Sequence, residues 1–232
     1  MSERMTIAAH GGSFSAYVAR PKAAKAPAVV VIQEIFGVNA VMRQVCDQLA
    51  SWCGYLAVCP DLFWRLEPGV DITDQSQAEW DKALGLMGRF DVDQGVEDIA
   101  AVIDHLRADP GCNDKVGAVG YCLGGRLAFL TATRTECDAS VGYYGVGVEN
   151  YLAEAERLAH PLMLHIAAED GFVPKEAQTR IVSALKDHPQ ATLHTYPGRD
   201  HAFARPGGAH FHQADAGLAN DRTVAFFRKY LG

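Results

Sequence analysis

Short apolar runs alternate with amphipathic segments along most of this chain. The run at residues 28–32 is rich in β-branched side chains, and similar short runs lie at 55–59, 116–119, 139–144 and 162–166. Runs of this length without polar alternation are typical of strands that are covered on both faces. We therefore predict a mostly parallel sheet at the centre of the fold.

Segments with apolar residues at helical spacing separate the predicted strands. They lie at residues 75–87, 91–108, 123–133, 176–186 and 215–230. Asn39 is placed to cap one more helix that ends near Cys53 and buries Trp52. Strand and helix alternate from residue 28 onward, which predicts an α/β fold with helices on both faces of the sheet.

The two ends of the predicted sheet carry other patterns. Residues 7–9 and 14–19 are apolar runs on either side of a Gly-Gly pair, which predicts an antiparallel hairpin at the N-terminal edge. Residues 192–196 alternate between apolar and polar side chains, as edge strands do. Together these patterns predict a mostly parallel sheet with an antiparallel N-terminal edge.

Composition limits the class of protein. A chain of 232 residues with 49% hydrophobic side chains can bury a full core, so we expect one domain over residues 1–232. The net charge of −7 is spread along the chain and argues against a nucleic-acid surface. No apolar stretch is long enough for a signal sequence or a bilayer span. We expect a cytoplasmic monomer that binds a small molecule and neither nucleic acid nor membrane.

The six cysteines are scattered and show neither a C-x-x-C pair nor the spacing of a zinc site. This usage fits a reducing compartment, where most thiols are inert and one can be reactive. Cys122 is the candidate, because residues 120–124 read Gly-Tyr-Cys-Leu-Gly between a predicted strand and a predicted helix. That context is the one a nucleophile elbow requires. The alternative is that Cys122 is a small buried packing residue.

Two further groups follow predicted strands and give the cysteine possible partners. Asp170 lies in the turn after the strand at 162–166, and His201 lies in the loop after the edge strand. The chain order nucleophile, acid, histidine is that of α/β-hydrolases. Taken singly, Asp170 could cap the helix that follows it, and His201 could be an ordinary loop histidine.

Five motifs together resemble the dienelactone hydrolase (carboxymethylenebutenolidase) family of α/β-hydrolases. They are Gln-Glu-Ile-Phe-Gly at 33–37, Gly-Tyr-Cys-Leu-Gly-Gly at 120–125, Gly-Tyr-Tyr-Gly-Val-Gly at 142–147, Asp170 with 172–174, and His201 with 203–205. The resemblance covers essentially the whole chain. It implies hydrolysis of an enol-lactone, typically dienelactone to maleylacetate in chloroaromatic breakdown, with no metal or organic cofactor.

The resemblance also implies a role for each matching residue. Cys122 would be the nucleophile, His201 the base and Asp170 the acid that orients the base. Glu34 would contact the thiol in the resting enzyme and move away when substrate binds. A carboxylate beside a thiol disfavours the thiolate, so it would also protect the idle cysteine from oxidation.

The oxyanion would be bound by the backbone N–H groups of Leu123 and Ile35, according to the same resemblance. Removing one such donor costs roughly 2.7–4 kcal/mol in other hydrolases. Phe36 and Tyr144 belong to the predicted substrate-binding set.

Two departures from the family pattern affect the expected substrate. In the family two arginines bind the carboxylate of the lactone; Arg205 matches one, whereas Trp80 stands in place of the other. Arg89 and Lys82 are alternatives for that second cation. Ala202 stands where a serine usually follows the histidine. Because an indole does not replace a bidentate arginine, we expect a relaxed or shifted lactone or ester preference.

Two other readings stay open on the sequence alone. The side chains of Asp200, His201, His210 and His212 could form a metal site, although such a site gives Cys122 no role. The chain could also be a non-catalytic binding protein or a thiol-redox protein on a hydrolase scaffold.

Overall fold

The computed structural model describes residues 2–232, which cluster by contacts into two compact units that divide after Gly117. Over these residues eight strands and six α-helices form a mixed, mostly parallel sheet with antiparallel N-terminal strands and helices around it. The predicted fold class is therefore confirmed. That residues 1–232 make up a single domain stays a prediction.

The first unit contains the N-terminal hairpin and the first parallel pair. Its elements are β1 (Ser2–Ala9), β2 (Gly12–Ala19), β3 (Ala26–Ile32), α1 (Ala40–Gln48), β4 (Leu56–Pro60), α2 (Gln77–Arg89) and α3 (Val92–Ala108). The strand order is β1-β2-β4-β3, in which β1 and β4 pair with β2 antiparallel and β3 pairs with β4 parallel. The predicted hairpin is confirmed, with a turn of only His10 and Gly11 between its strands.

The second unit contains the parallel strands that follow the candidate elbow. Strand β5 (Cys112–Tyr121) crosses the division, and α4 (Leu123–Arg134), β6 (Ala139–Tyr143), β7 (Leu162–Ala167), α5 (Lys175–Leu185), β8 (Ala191–Tyr196) and α6 (Gln213–Tyr230) follow. Strands β6, β7 and β8 pair in parallel in that order. Their carboxyl ends therefore share one edge, where the loops after them can meet.

Burial explains why the apolar runs were good strand signals. Residues 28–32 of β3 are fully buried, and so are most residues of β5 and β6. A strand that is covered on both faces has no polar positions to alternate with apolar ones, hence the continuous runs.

The helix after β3 differs from the prediction at its C-terminal end. Asn39 caps α1 as predicted, because its side chain accepts a hydrogen bond from the Met42 backbone at 3.1 Å. Residues Leu49–Cys53 then form a π-helical segment. Its wider turn changes which side chains face inward. The buried face is formed by Met42 and Cys46, and the prediction that Trp52 is buried was wrong, since it is 74% exposed.

Two short 3-10 helices, Val148–Asn150 and Leu152–Arg157, were not predicted. These helices are too short to show a periodic pattern of hydrophobic residues. Within residues 2–232, none of the helices has the length and hydropathy needed to cross a membrane.

Candidate active site

The turn between β5 and α4 holds Cys122 in a backbone conformation that L-residues rarely adopt. Its φ is +57° and its ψ is −114°, and Leu123 begins the helix immediately afterwards. The turn needs a glycine at position 120, because an added Cβ would lie 1.9 Å from the carbonyl oxygen of Gly124. This is the strand-to-helix geometry that was predicted for an elbow.

Backbone contacts fix the elbow against β6 and the loop after it. The Cys122 N–H donates to the Tyr143 carbonyl at 3.1 Å, and the Cys122 carbonyl accepts from the Val146 N–H at 3.3 Å. A Cβ on Gly125 would lie 2.5 Å from the Tyr143 carbonyl oxygen, so α4 can sit this close only with glycine there. The sulfur-bearing residue is thus held by main-chain groups on two sides.

Asp170 and His201 form a buried pair on neighbouring loops of the second unit. The His201 Nδ1 lies 3.0 Å from one carboxylate oxygen of Asp170 and 3.1 Å from the other. The His201 side chain is 5% exposed and the Asp170 side chain is 1% exposed. Asp170 also accepts the backbone N–H groups of Phe172 at 2.8 Å and Val173 at 3.2 Å. These two bonds hold the carboxylate in the turn, where it can fix the orientation of the imidazole ring.

Cys122 is a second hydrogen-bond partner of the His201 side chain. Burial by itself lowers the pKa of His201, but the charge of Cys122, the hydrogen bonds to Asp170 and Cys122 and the charge of Asp170 outweigh it. Together they raise that pKa from 6.5 to about 10. The structure therefore brings Cys122, His201 and Asp170 together, with the Asp170 carboxylate on Nδ1 of His201.

Two aromatic rings enclose the imidazole. The Tyr144 ring lies 5.1 Å from the His201 ring and the Phe172 ring 4.8 Å from it, both near edge-to-face. Phe172 belongs to the motif at 172–174 but was not predicted as a site residue; its position two residues after Asp170 is the signal for this contact. Tyr144 and Ala202 have φ values of +37° and +60°, so backbone strain of about 1–3 kcal/mol per residue accumulates beside His201.

The predicted oxyanion donor, the backbone N–H of Leu123, lies at the start of α4. Leu123 is the first residue of α4, and the helical pattern supplies no acceptor for the N–H groups of Leu123 and Gly124, whereas those of Gly125 and Arg126 donate to the Cys122 carbonyl. The N–H groups of Leu123 and Gly124 and the helix dipole favour negative charge at this position. The role of the Leu123 N–H as an oxyanion donor stays a prediction.

The remaining predicted site residues of the first unit lie at the carboxyl end of β3 and on α2. Glu34, Ile35 and Phe36 follow β3 and are 1%, 3% and 2% exposed. Trp80 lies on α2; its indole N–H donates to the Asp74 carbonyl at 3.0 Å, and its ring meets Phe36 edge-to-face at 5.2 Å. The pairing of Trp80 with Phe36 is the contact that the structure adds to the prediction for these residues.

Arg205 and Ala202 follow His201 in the same loop. The guanidinium group of Arg205 lies beside Gly208, where an added Cβ would be 2.9 Å from Nε. Ala202 is 2% exposed, so its methyl group is packed in the protein.

The candidate metal cluster does not assemble around one point. His212 caps α6 through the Asp215 N–H at 3.3 Å, whereas the His210 Nδ1 faces the His201 carbonyl at 3.2 Å. In the described part of the chain, no group of three or more His, Cys, Asp or Glu side chains could hold a metal ion.

Comparisons of sequence and structure relate this chain to known proteins. A sequence model described as "Dienelactone hydrolase family" matches residues 14–231. The carboxymethylenebutenolidase of Pseudomonas putida is 40% identical over 97% of this chain and 96% of its own length. A candidate carboxymethylenebutenolidase of Azospirillum brasilense is 51% identical over the full length of both chains. A crystal structure of a candidate dienelactone hydrolase from Klebsiella pneumoniae superposes with a TM-score of 0.87 at 28% identity, covering 99% of each chain.

Proposed function

Because this chain belongs to the dienelactone hydrolase family and is a carboxylic-ester hydrolase, we propose that it cleaves an enol-lactone or related ester through Cys122. The observation that carries the proposal is the contact chain from Cys122 through His201 to Asp170, at the end of an elbow. Each of the three residues follows a different strand. If Cys122 were only a buried packing residue, the protein would not need a buried imidazole and a buried carboxylate next to it.

In the attacking state, Cys122 is a thiolate and His201 an imidazolium, which the raised pKa of His201 favours. The thiolate forms a C–S bond to the carbonyl carbon, and the oxyanion forms next to the Leu123 N–H. When the intermediate collapses, the ester C–O bond breaks and His201 gives its proton to the leaving oxygen. For a lactone, that oxygen stays attached to the acyl-enzyme as the ring opens.

The second half of the cycle releases the acyl group. His201, now neutral, takes a proton from water, and the hydroxide attacks the thioester carbonyl. The C–S bond breaks, which restores the thiolate and the imidazolium. Asp170 keeps Nδ1 protonated throughout and stabilises the imidazolium. Proton transfer by such a base contributes roughly 10²–10⁴-fold to the rate.

Glu34, Ile35, Phe36 and Trp80 keep the roles that the family resemblance implies, as predictions. Replacing Glu34 with glutamine would remove a negative charge while keeping the size of the side chain. If Glu34 suppresses the idle thiolate, the variant should be alkylated by iodoacetamide faster than wild type at the same pH. An unchanged rate of Cys122 alkylation would contradict the idea that Glu34 suppresses the thiolate.

We also propose that the substrate preference is shifted away from dienelactone, because Trp80 and Ala202 replace polar groups of the family pattern. A panel that compares anionic lactones with neutral esters of equal size tests this directly. Efficient turnover of dienelactone, combined with complete loss of that activity in Arg205→Ala, would contradict the proposal.

The function itself is tested with p-nitrophenyl acetate and dienelactone on wild type, Cys122→Ser and the matched control Cys53→Ser. Hydrolysis should depend on Cys122 and not on Cys53, a thiol in the first unit. Unchanged activity after treatment with a chelator is expected, since the proposed steps use only protein groups. Peroxide-dependent turnover without ester cleavage would instead support a thiol-redox protein.

A further inference from the structure

Asp200 joins the loop that carries His201 to the loop that carries Asp170. One carboxylate oxygen, Oδ1, accepts the His201 backbone N–H at 2.6 Å and the Gly171 backbone N–H at 2.8 Å. Gly171 directly follows Asp170, and His201 directly follows Asp200. A single oxygen atom therefore links the backbones of the two residues whose side chains must meet.

Main-chain hydrogen bonds join the loop that carries Asp170 to the loop that carries His201 just before the Asp200 bridge. The Ala168 N–H donates to the Tyr196 carbonyl at 3.1 Å, and the Glu169 N–H donates to the Arg199 carbonyl at 2.8 Å. The next link between the two loops comes from the side chain of Asp200. It replaces the main-chain pairing at the position where both chains turn away to present functional groups.

The second oxygen of Asp200 faces a histidine from the same loop. The His210 Nδ1 lies 3.5 Å from Oδ2 of Asp200 and 3.2 Å from the His201 carbonyl oxygen. Although burial works in the other direction, the N–H groups of Gly171 and His201 and the charge of His210 lower the pKa of Asp200. The side chain is therefore an anion at neutral pH, which strengthens its two hydrogen bonds to N–H groups.

We propose that Asp200 is a positioning residue that sets the distance between the His201 imidazole and the Asp170 carboxylate. This inference rests on the proposed function, because the distance matters only if the pair takes part in catalysis. Asp200 acts through His201 and Gly171 and does not itself touch the reacting atoms. The property that matters is the position of an acceptor oxygen; the negative charge is secondary.

The experiment compares four variants by steady-state hydrolysis of p-nitrophenyl acetate and by thermal melting. Asp200→Ala removes the acceptor, Asp200→Asn keeps an acceptor oxygen without the charge, and Asp200→Glu keeps the charge but moves the oxygen. Glu169→Ala is the matched control, since it removes a carboxylate that is 59% exposed from the loop that carries Asp170, where it pairs with Lys175.

Loss of the bridge should lower kcat by about 10²-fold in Asp200→Ala, with little change in KM, because a shift near 1 Å between catalytic groups costs about that much. Asp200→Glu should lose activity similarly. Asp200→Asn should stay within about fivefold of wild type, the range expected for an exposed charge. If Asp200→Ala is too unstable to assay, the Asn and Glu variants alone decide between position and charge.

Two results would overturn the inference. One is an Asp200→Asn variant as inactive as Asp200→Glu is predicted to be; the other is an Asp200→Ala variant with the kcat of Glu169→Ala. Failure of the proposed function looks different, because wild-type hydrolysis would then not depend on Cys122 in the first place.

Discussion

Replacing Gly120 with alanine tests how tightly the elbow holds Cys122. A Cβ at position 120 would lie 1.9 Å from the carbonyl oxygen of Gly124 and 2.3 Å from its carbonyl carbon. Because Cβ atoms essentially never approach closer than 3.0 Å, the strand and the helix must separate by 3.0 − 1.9 = 1.1 Å. Both atoms in the clash belong to the backbone, so no side-chain rotation relieves it.

The size of the effect follows from this displacement. Overpacking of this kind costs about 1–3 kcal/mol. For a chain of this length, each kcal/mol lowers Tm by roughly 2–4 °C, which gives a decrease of about 2–12 °C. If Cys122 is the nucleophile, as proposed, a shift of about 1 Å at this residue should lower kcat for an ester by about 10²-fold. KM should change less, because Gly120 is not one of the residues predicted to bind the substrate.

The assay combines p-nitrophenyl acetate hydrolysis with thermal melting followed by circular dichroism. Gly217→Ala in α6 is the matched control, because no described atom lies within 4 Å of its added Cβ. That substitution should stabilise the helix by about 0.5–1 kcal/mol and leave kcat unchanged. A Gly120→Ala variant with wild-type kcat and Tm would refute the idea that a close backbone contact holds the nucleophile.

Three further predictions concern the acid, the base and a buried histidine. Asp170→Asn should lower kcat by up to about 10⁴-fold with KM nearly unchanged, since the wrong tautomer of the imidazole then faces the sulfur; steady-state kinetics checks this. Because the pKa of His201 is raised to about 10 in the folded protein, protonated His201 stabilises the fold; this stabilisation is complete below pH 6.5 and is lost as pH rises through about 10. The Tm of wild type should therefore exceed that of His201→Gln at low pH, and the difference should disappear above pH 10. Burial lowers the pKa of His165 well below 6.5, so stability should fall as pH drops below 6.5, and His165→Gln should show a smaller decrease in Tm between pH 7 and 5.

The fold was predictable because its strands and helices leave simple signals. Continuous apolar runs identified the covered strands, and the capping residue Asn39 marked the start of one helix. The failure at Trp52 has a local cause, since a π-helical turn breaks the regular spacing on which the prediction depends. No residue type in that segment marks such a turn.

The candidate site was predictable to a lesser degree. Cys122, Asp170 and His201 each follow a strand, and the parallel order of β6 to β8 brings the last two loops together. The bridge formed by Asp200 was not predicted, because it depends on a hydrogen bond from the backbone N–H of Gly171, in a loop distant along the chain. Any residue could supply such groups, so the sequence carries no sign of the partner. The aromatic enclosure of His201 likewise depends on loop conformation.

The most direct measurement is to trap the acyl-enzyme. A rapid acid quench of the enzyme with p-nitrophenyl acetate, followed by peptide mapping in the mass spectrometer, should find one acetyl group, attached to the sulfur of Cys122. The same experiment on Cys122→Ala should find none, and that variant should not hydrolyse the ester. An acyl group on another residue, or full hydrolysis by Cys122→Ala, would contradict the assignment of Cys122 as the nucleophile.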